Sequence, residues 1–289
     1  MLSERSTREM TMRISTCLAA TLLATLLVSC ATTPGDPASV VTDNRRHAEP
    51  RHQDDAREHA RRGWALGCAA VLTERNHHSH ASLSGRDLTE KAQAETRVLL
   101  ADWWGVNSRA DLLGTLAWLE DEGHRTDFEI VGTLMTQLTQ DEYEKLLAAE
   151  ERPEAISKME IARTYYPILG AKSLYGWDYS RAICLCRWAY VAGYITEEEA
   201  WNKIMPLARS LQEKFDSWED FGHNFLIGRQ FWSYEQTTDN GWQCEDAVQR
   251  LLDMRDSPWN RYPWDLDLSE DDPATDQPKE LPGAVVARG

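Results

Sequence analysis

The sequence lacks a basic excess and long apolar runs, and each absence excludes a class of function. It carries 31 Lys and Arg residues against 47 Asp and Glu residues, for a formal net charge of -16. Because nucleic-acid binding needs a basic surface against phosphates, we predict no nucleic-acid partner. The apolar runs are too short and too few for a polytopic membrane protein, whose helices each need about 20 apolar residues.

Several signature motifs are also missing. The sequence contains no phosphate-binding Gly-x-x-x-x-Gly-Lys, no Gly-x-Gly-x-x-Gly after a strand, no His-Glu-x-x-His and no Gly-x-Ser-x-Gly. An enzyme would therefore have to assemble its site from residues that meet only in the folded chain. We predict no cofactor, and the pattern favours a binding protein over an enzyme.

Residues 12–30 are typical of an export signal. Arg13 provides a positive flank, and an apolar stretch of 14–28 follows it. This stretch is too short and too rich in Thr for a membrane-spanning helix, and it fits the apolar region of a secretory signal peptide. Its end, Leu27-Val28-Ser29-Cys30, resembles the lipobox of bacterial lipoproteins. That resemblance implies removal of residues 1–29 and acylation of Cys30, which would anchor the chain in a lipid bilayer.

The residues after Cys30 predict where the anchored chain is held. Ala31 stands where an Asp would retain a lipoprotein in the inner membrane, so resemblance to that sorting rule implies the outer membrane, facing the periplasm. Residues 30–52 are rich in Thr, Pro, Asp, Arg and His and show almost no apolar periodicity, which predicts a flexible tether.

The remaining cysteines leave two alternatives open. An oxidising compartment permits disulfides, but Cys184 and Cys186 would point about 200° apart on a helix and cannot pair with each other. Cys68 or Cys244 could pair with one of them. The other alternative is that all four are free thiols that pack as small apolar side chains.

A helical period dominates from residue 54 to 255, and no run alternates like a strand between turn signals. We therefore predict an all-α fold, a single globular bundle of about eight helices without a substantial sheet, over residues 53–256. Residues 257–289 hold five of the eleven prolines and an acidic run, which predicts a strap docked through Trp259, Tyr262 and Trp264, followed by a disordered tail.

The segment from Gly176 to Ser233 has the strongest helical signals. Asp178 is a good N-cap for a helix that reaches Ala192, and this helix should be central because Arg187 is its only charge after Ala182. Gly228, inside an aromatic stripe, implies a close approach of two backbones. The 12 Trp residues stand against only 5 Phe, and their helical spacing favours a Trp-rich core over a groove for glycan or peptide.

The same segment contains the candidate binding residues. In one interpretation Asp178 only caps its helix and pairs with Arg181 one turn later. In the other, Arg181 is buried, needs a carboxylate from Asp178 or Glu199, and converges with Arg229 on a polar site in an aromatic core. The candidates for ligand or partner binding are Trp177, Asp178, Arg181, Glu199, Trp218, His223, Arg229 and Trp232.

Histidines supply the remaining candidates. His77, His78 and His80 alternate in a loop and could chelate zinc or copper, but no Cys or acidic residue nearby has a diagnostic spacing. The other interpretation is that this loop is simply exposed to solvent. On that interpretation we predict no metal site. His223 lies beside Gly222 on an aromatic helix and is more typical of a helix seam than of a catalytic base.

Short segments in both halves carry a family resemblance. They are Gly63-Trp64-Ala65-Leu66-Gly67, 104–109, 116–124, Trp177-Asp178-x-x-Arg181, 192–195, 198–201, Ser217-Trp218 and Gly228-Arg229-x-x-Trp232. Over about residues 60–235 the chain resembles bacterial domain-of-unknown-function family 1266. The resemblance brings no established activity, so it implies no catalytic role for any residue.

Three functional hypotheses follow. The first is a protein-interaction module displayed from the lipid anchor. One form of it is an immunity-like protein, whose negative charge speeds capture of a basic partner that acts as an envelope toxin. The second is a binder of a small molecule, peptide or cell-wall fragment through the region of Asp178, Arg181 and Arg229. The third is an envelope hydrolase, which predicts a His or carboxylate with a strongly displaced pKa in a cleft.

Overall fold

The computed structural model describes residues 49–269, and it describes the side chains of this range except for 49–53 and 234–243. The predicted signal peptide, Cys30, most of the predicted tether and the end of the predicted tail lie outside the described residues. Within them the chain is all-helical and has no strand, as predicted. No helix in this range combines the length and the apolar character needed to cross a bilayer.

Twelve α-helices and one short 3-10 turn make up the described chain. They are α1 (Glu49–Gly67), α2 (Ala70–Arg75), α3 (Glu90–Trp104), α4 (Arg109–Asp121), α5 (Gly123–Gln137), α6 (Gln140–Ala149), α7 (Pro153–Leu169), the 3-10 turn (Gly170–Lys172), α8 (Tyr175–Ala192), α9 (Glu197–Lys214), α10 (Trp218–Trp232), α11 (Tyr234–Asp253) and α12 (Pro258–Arg261). The number exceeds the predicted eight partly because the short helix α2 follows α1 after a two-residue break and the strap contains α12.

Local capping signals set several of the helix ends. Thr139 and Thr196 each accept from the backbone three residues later, and the Glu at that position reaches back to the cap, so each forms a capping box. Ser108 and Ser217 cap α4 and α10 in the simpler way. Gly193 ends α8 with a φ of 76°, a left-handed conformation that glycine adopts without a steric penalty.

The prediction that Asp178 caps its own helix is wrong. α8 begins at Tyr175, before Asp178, and its N-cap is Leu174, which makes no side-chain cap bond. The first turn of α8 packs directly against α10 at Gly176, which has no side chain; a Cβ there would lie 2.7 Å from Asn224 Oδ1. Asp178 therefore lies in the first turn of α8, and its carboxylate is used elsewhere.

α8 is the central helix, as its low charge predicted. It packs against α2, α3, α4, α5, α9 and α10. All its residues are buried except Tyr175, Tyr179 and Tyr190, which are partly exposed. The predicted close approach at Gly228 of α10 is also confirmed, because a Cβ there would lie 2.2 Å from the Cβ of Trp177 on α8.

A tryptophan cluster attaches the segment after α11 to the core. Trp218 stacks on Trp259 at a ring-centroid distance of 5.6 Å, and it lies 4.8 Å from both Trp64 and Trp264. All four indole N–H groups donate to backbone carbonyls, at 2.8–3.1 Å. Gly63 on α1 makes room for the ring of Tyr262, so this face of α1 receives the strap.

The four cysteines of the described chain are free thiols. Cys68, Cys184, Cys186 and Cys244 are all buried. Burial raises the pKa of Cys184 and of Cys186 to about 12, so both stay protonated at neutral pH. They act as small apolar side chains within the core.

The contact at Gly228 gives a prediction for stability. Gly228→Ala should lower the free energy of unfolding by about 3 kcal/mol, because the added methyl overlaps backbone-linked atoms of Trp177 that cannot move independently. Gly114→Ala is the matched control, since nothing lies within 4 Å of a Cβ at this helical position. It should raise stability by about 0.5–1 kcal/mol. Urea unfolding measures both, and equal effects of the two variants would contradict the packing of α8 against α10.

Candidate ligand pocket

One pocket lies where α2, α3, α8 and α10 meet, and its cavity volume is about 180 Å³. Its lining residues are Leu72, Arg75, Asn76, Leu99, Trp103, Trp104, Trp177, Arg181, Trp188, Arg229 and Trp232. Three of them are arginines and five are tryptophans. No carboxylate lines this pocket in the part of the chain that the structure describes.

Helical spacing explains how these side chains meet. Trp177 and Arg181 are four residues apart on α8, and Trp188 follows seven residues later on the same face. Arg229 and Trp232 are three residues apart on α10 and also share a face. Because α10 packs closely against α8 at Gly228, the face of α8 with Trp177 and Arg181 and the face of α10 with Arg229 and Trp232 enclose the pocket between them.

Asp178 lies behind this wall and joins α8 to α5. Its fully buried carboxylate accepts the backbone N–H groups of His124 and Arg125, each at 3.0 Å, and the Nη1 of Arg125 at 3.3 Å. These amides belong to the first turn of α5, where a helix has unsatisfied donors and favours negative charge. Gly123 makes the contact feasible, because a Cβ there would lie 2.2 Å from Asp178 Oδ2.

Arg181 is held in the pocket wall by aromatic faces more than by a carboxylate. Its Cζ lies 4.7 Å from the ring centroid of Trp104, 4.8 Å from that of Trp177 and 5.8 Å from that of Trp232. The carboxylate of Asp178 is 4.0 Å from Nη1 and is shared with Arg125. Burial lowers the pKa of Arg181 to about 10, so the guanidinium stays charged at neutral pH.

His124 is the residue of this network that the sequence analysis missed. Its Nδ1 lies 2.7 Å from Nη1 of Arg181, and since arginine can only donate, Nδ1 must be an unprotonated acceptor. Burial is the main reason why the pKa of His124 is lowered, and the charge of Arg181 lowers it further, although Asp178 acts in the opposite direction. No local pattern marks His124, because its partners lie more than fifty residues away in sequence.

The other two arginines of the pocket approach the thiol of Cys244 on α11. Nη1 of Arg75 lies 3.6 Å from its sulfur, and Arg229 is hydrogen-bonded to the same group. Arg229 also lies over Trp232, 5.0 Å from the ring centroid. Burial is the main cause that lowers the pKa of Arg229.

The candidates predicted from the sequence line the pocket, support it from behind or lie away from it. The first group is Trp177, Arg181, Arg229 and Trp232, and the second is Asp178 alone. Glu199 does not converge with them, because it caps α9 and pairs with exposed Arg109 at 2.7 Å.

The last two candidates also lie away from the pocket. Trp218 belongs to the cluster that seats the strap, with its ring stacked on Trp259. His223 is exposed on α10. Helical spacing alone could not separate these two from the pocket residues on the same helix.

The histidine loop is fastened to the core by Arg187 of α8. This buried guanidinium donates to the carbonyl groups of Ser79, Ser82 and Leu83 at 2.9–3.2 Å, and also to the hydroxyl of Thr73. Neutral oxygens thus satisfy a buried arginine without a carboxylate. His80 forms a hydrogen bond with Glu74 at 2.6 Å, and the side chains that the structure describes include no cluster of three or more His, Cys, Asp or Glu suited to a metal.

The hydrolase hypothesis predicted a group with a displaced pKa, and His124 is the nearest match. Its Nδ1 is committed to Arg181, and Asp178 lies 3.5 Å away. No serine, threonine or cysteine side chain of the described region is hydrogen-bonded to the His124 ring, so no side-chain nucleophile is paired with this His there.

The lowered pKa of His124 predicts an acid sensitivity. Above about pH 6.5 the ring is neutral in both the folded and the unfolded chain, and its contribution to stability is complete. As the pH falls from there through the lowered pKa of the folded state, the unfolded chain binds the proton first and stability is lost. His124→Asn keeps a neutral acceptor for Arg181 and cannot titrate. Urea unfolding at about pH 7.5 and about pH 5 should show a larger loss for the wild type than for this variant, and equal losses would contradict the role of His124.

Comparison with known proteins gives relatives but no structural precedent. The chain is 28% identical over 142 residues to the uncharacterized protein YbeU of Escherichia coli, which covers 49% of this chain and 60% of YbeU. It is 25% identical over 134 residues to the uncharacterized protein YbeR of the same organism, which covers 46% of this chain and 56% of YbeR. The matches thus span less than two thirds of either relative. No solved structure matches the chain.

The part of the chain that matches a family model includes most of the pocket lining. The model of a protein family of unknown function, DUF1266, matches residues 99–264, which begins later than the resemblance in the sequence suggested and extends into the strap. The match contains every pocket-lining residue of α3, α8 and α10. Since it covers more than half of the chain, this protein belongs to the DUF1266 family.

Proposed function

We propose that the helical domain binds a small organic anion in the pocket between α2, α3, α8 and α10. The observation that carries the proposal is the lining itself, which combines Arg75, Arg181 and Arg229 with five indole rings. Most small-molecule sites are concave and apolar, with a few placed polar groups that fix orientation. A concentration of positive charge in a chain of net charge -16 runs against the overall composition.

Electrostatics favour an anion as the occupant. Burying a guanidinium without a counter-charge is costly, and Asp178 is shared between Arg181 and Arg125. Arg75 donates to the sulfur of Cys244 and forms no ion pair within the described residues. An anionic ligand would supply a counter-charge for Arg75 and a second one for Arg181, and the surrounding indoles would cover the apolar part of the same molecule.

The size of the pocket favours a small molecule over a peptide or cell-wall fragment. A cavity of about 150 Å³ is known to accept benzene, so about 180 Å³ accommodates one ring and a small polar group. A peptide or glycan could place only one terminal group inside. The second of the three sequence hypotheses is therefore narrowed to its small-molecule form.

A protein-interaction role is the second candidate, and one surface feature favours it. Ile130 and Leu134 lie one turn apart on α5 and are 63% and 55% exposed. Exposed apolar side chains on one helix face are typical of a contact surface, although single ones are common. An envelope pull-down with the wild type and with Ile130→Glu tests it, and a stoichiometric partner retained equally by both would exclude this face.

We also propose that the domain is exported and displayed at the outer membrane from an acylated Cys30. The support is the sequence of residues 12–30, with its positive flank, apolar stretch and lipobox-like end. Several acyl carbons on one cysteine give stable anchoring, since each buried methylene contributes about 0.8 kcal/mol.

Cys30→Ser tests the anchor. Cells that produce the wild-type chain and are grown with labelled palmitate should yield a labelled protein in the outer-membrane fraction, whereas Cys30→Ser should yield an unlabelled protein that leaves this fraction. An unlabelled wild-type chain, or one found in the cytosol, would contradict the proposal.

A tryptophan-fluorescence titration tests the anion proposal. Small organic acids should change the emission of the pocket indoles, and their neutral amides should not, because only the acids supply a counter-charge to Arg75 and Arg181. Arg229→Gln should weaken the response by roughly tenfold or more, since a hydrogen bond to a charged group contributes about 1.5–3 kcal/mol. Arg109→Gln is the control, because Arg109 pairs with Glu199 outside the pocket and its loss should leave the response unchanged. Equal responses to acids and amides would contradict the proposal.

A further inference from the structure

We propose that Arg181 is a preorganised fork for a carboxylate, and that the ligand is a monocyclic aromatic carboxylate whose ring is coplanar with the acid group. This inference rests on the proposed function and names its ligand class. Three observations carry it: the single hydrogen bond that Arg181 makes within the described residues, the indole faces around it and the size of the pocket.

The hydrogen bond to His124 decides which edge of the guanidinium is available. Arg181 donates through Nη1 to His124, 2.7 Å away. No acceptor among the described side chains and backbone groups takes its Nε–H or Nη2–H, although Arg181 is only 8% exposed. These two N–H groups point in parallel along one edge. That edge matches the two oxygens of a carboxylate in a bidentate pair.

The indoles fix the plane of that fork. The guanidinium lies over the faces of Trp104, Trp177 and Trp232, so it cannot tilt without leaving at least one of them. A bidentate carboxylate must then lie in the same plane. His124 acts as a positioning residue, because its neutral Nδ1 holds Nη1 and leaves the other edge for the ligand.

The fixed plane selects the body of the ligand. In an aromatic carboxylate, conjugation keeps the ring in the plane of the acid group, so the ring continues the plane of the guanidinium and meets indole faces as Arg181 does. A saturated ring is thicker and has no such constraint. Aromatic pairs are stabilised beyond the area they bury, and a saturated ring lacks this contribution.

The remaining polar features suit one acid group and one ring. The indole N–H of Trp177 is buried and has no acceptor in the described part of the chain, so an additional ligand oxygen would find a donor beside Arg181. A free inorganic anion would satisfy the charges but leave the tryptophan walls without an apolar partner. A ring and a carboxylate together also match a cavity of about 180 Å³.

Calorimetric titration of the whole protein with four probes separates these chemistries. The probes are benzoate, cyclohexanecarboxylate, benzyl alcohol and inorganic phosphate. We expect benzoate to bind roughly tenfold more tightly than cyclohexanecarboxylate, and the neutral alcohol and phosphate to bind more weakly than either acid. This comparison uses the wild-type chain alone and therefore does not depend on whether any variant folds.

Arg181→Lys tests the fork itself. Lysine keeps the positive charge but offers no parallel pair of donors, so benzoate should lose roughly tenfold or more in affinity, and the preference over cyclohexanecarboxylate should disappear. Arg109→Lys is the matched control at an exposed ion pair away from the pocket and should keep the preference.

The outcomes distinguish the two proposals. Equal affinity for the two ring acids, or an unchanged benzoate preference in Arg181→Lys, overturns the aromatic-carboxylate inference and leaves an organic-anion site in place. Absence of binding by both acids overturns the inference together with the proposed function. A benzoate preference that Arg181→Lys abolishes supports both.

Discussion

The buried carboxylate of Asp178 is the constraint on which the rest of the structure depends. It lies on the central helix and satisfies two backbone amides at the start of α5, which brings His124 against Arg181. A fully buried carboxylate is stable only when several donors surround it, and here the helix terminus and Arg125 supply them. The junction between two helices and the shape of the pocket thus depend on one side chain.

The tryptophans attach the strap in one place and line the pocket in another, and the two sets differ in whether the indole N–H has an acceptor. In the cluster of Trp64, Trp218, Trp259 and Trp264 each indole donates to a backbone carbonyl, so these rings fasten the strap with no polar atom left over. In the pocket, Trp177 has no acceptor within the described residues. The same residue type therefore builds a satisfied core at one end of α10 and an aromatic wall with unused hydrogen-bonding capacity at the other.

Features that depend on near neighbours in sequence could be predicted. The all-α fold, the capping boxes at Thr139 and Thr196, the end of α8 at Gly193 and the contact at Gly228 each follow from a pattern within a few residues. Four of the pocket residues were also identified, because an arginine within an almost uncharged helix needs an unusual environment.

What could not be predicted depends on distant partners. Asp178 is of a residue type that commonly caps its own helix, but it accepts from the first turn of a helix more than fifty residues away in sequence. His124 gains its role only because this contact brings it to Arg181. Glu199 was assigned to the site and pairs with Arg109 instead. Arg187 shows that the rule of a carboxylate for each buried arginine can fail, since loop carbonyl groups surround it. Local patterns carry no information about which of these partners the fold brings together.

Hydrogen exchange at the backbone amides of His124 and Arg125, in the wild type and in Asp178→Asn, tests the central claim most directly. First-turn helix amides usually exchange fast because they lack an intrahelical acceptor. With Asp178 as their acceptor, both amides should be as protected in the wild type as the interior of α5, and at least one should lose that protection in Asp178→Asn, whose amide group can accept from only one of them. Fast exchange of both amides in the wild type, or unchanged protection in the variant, would contradict the account.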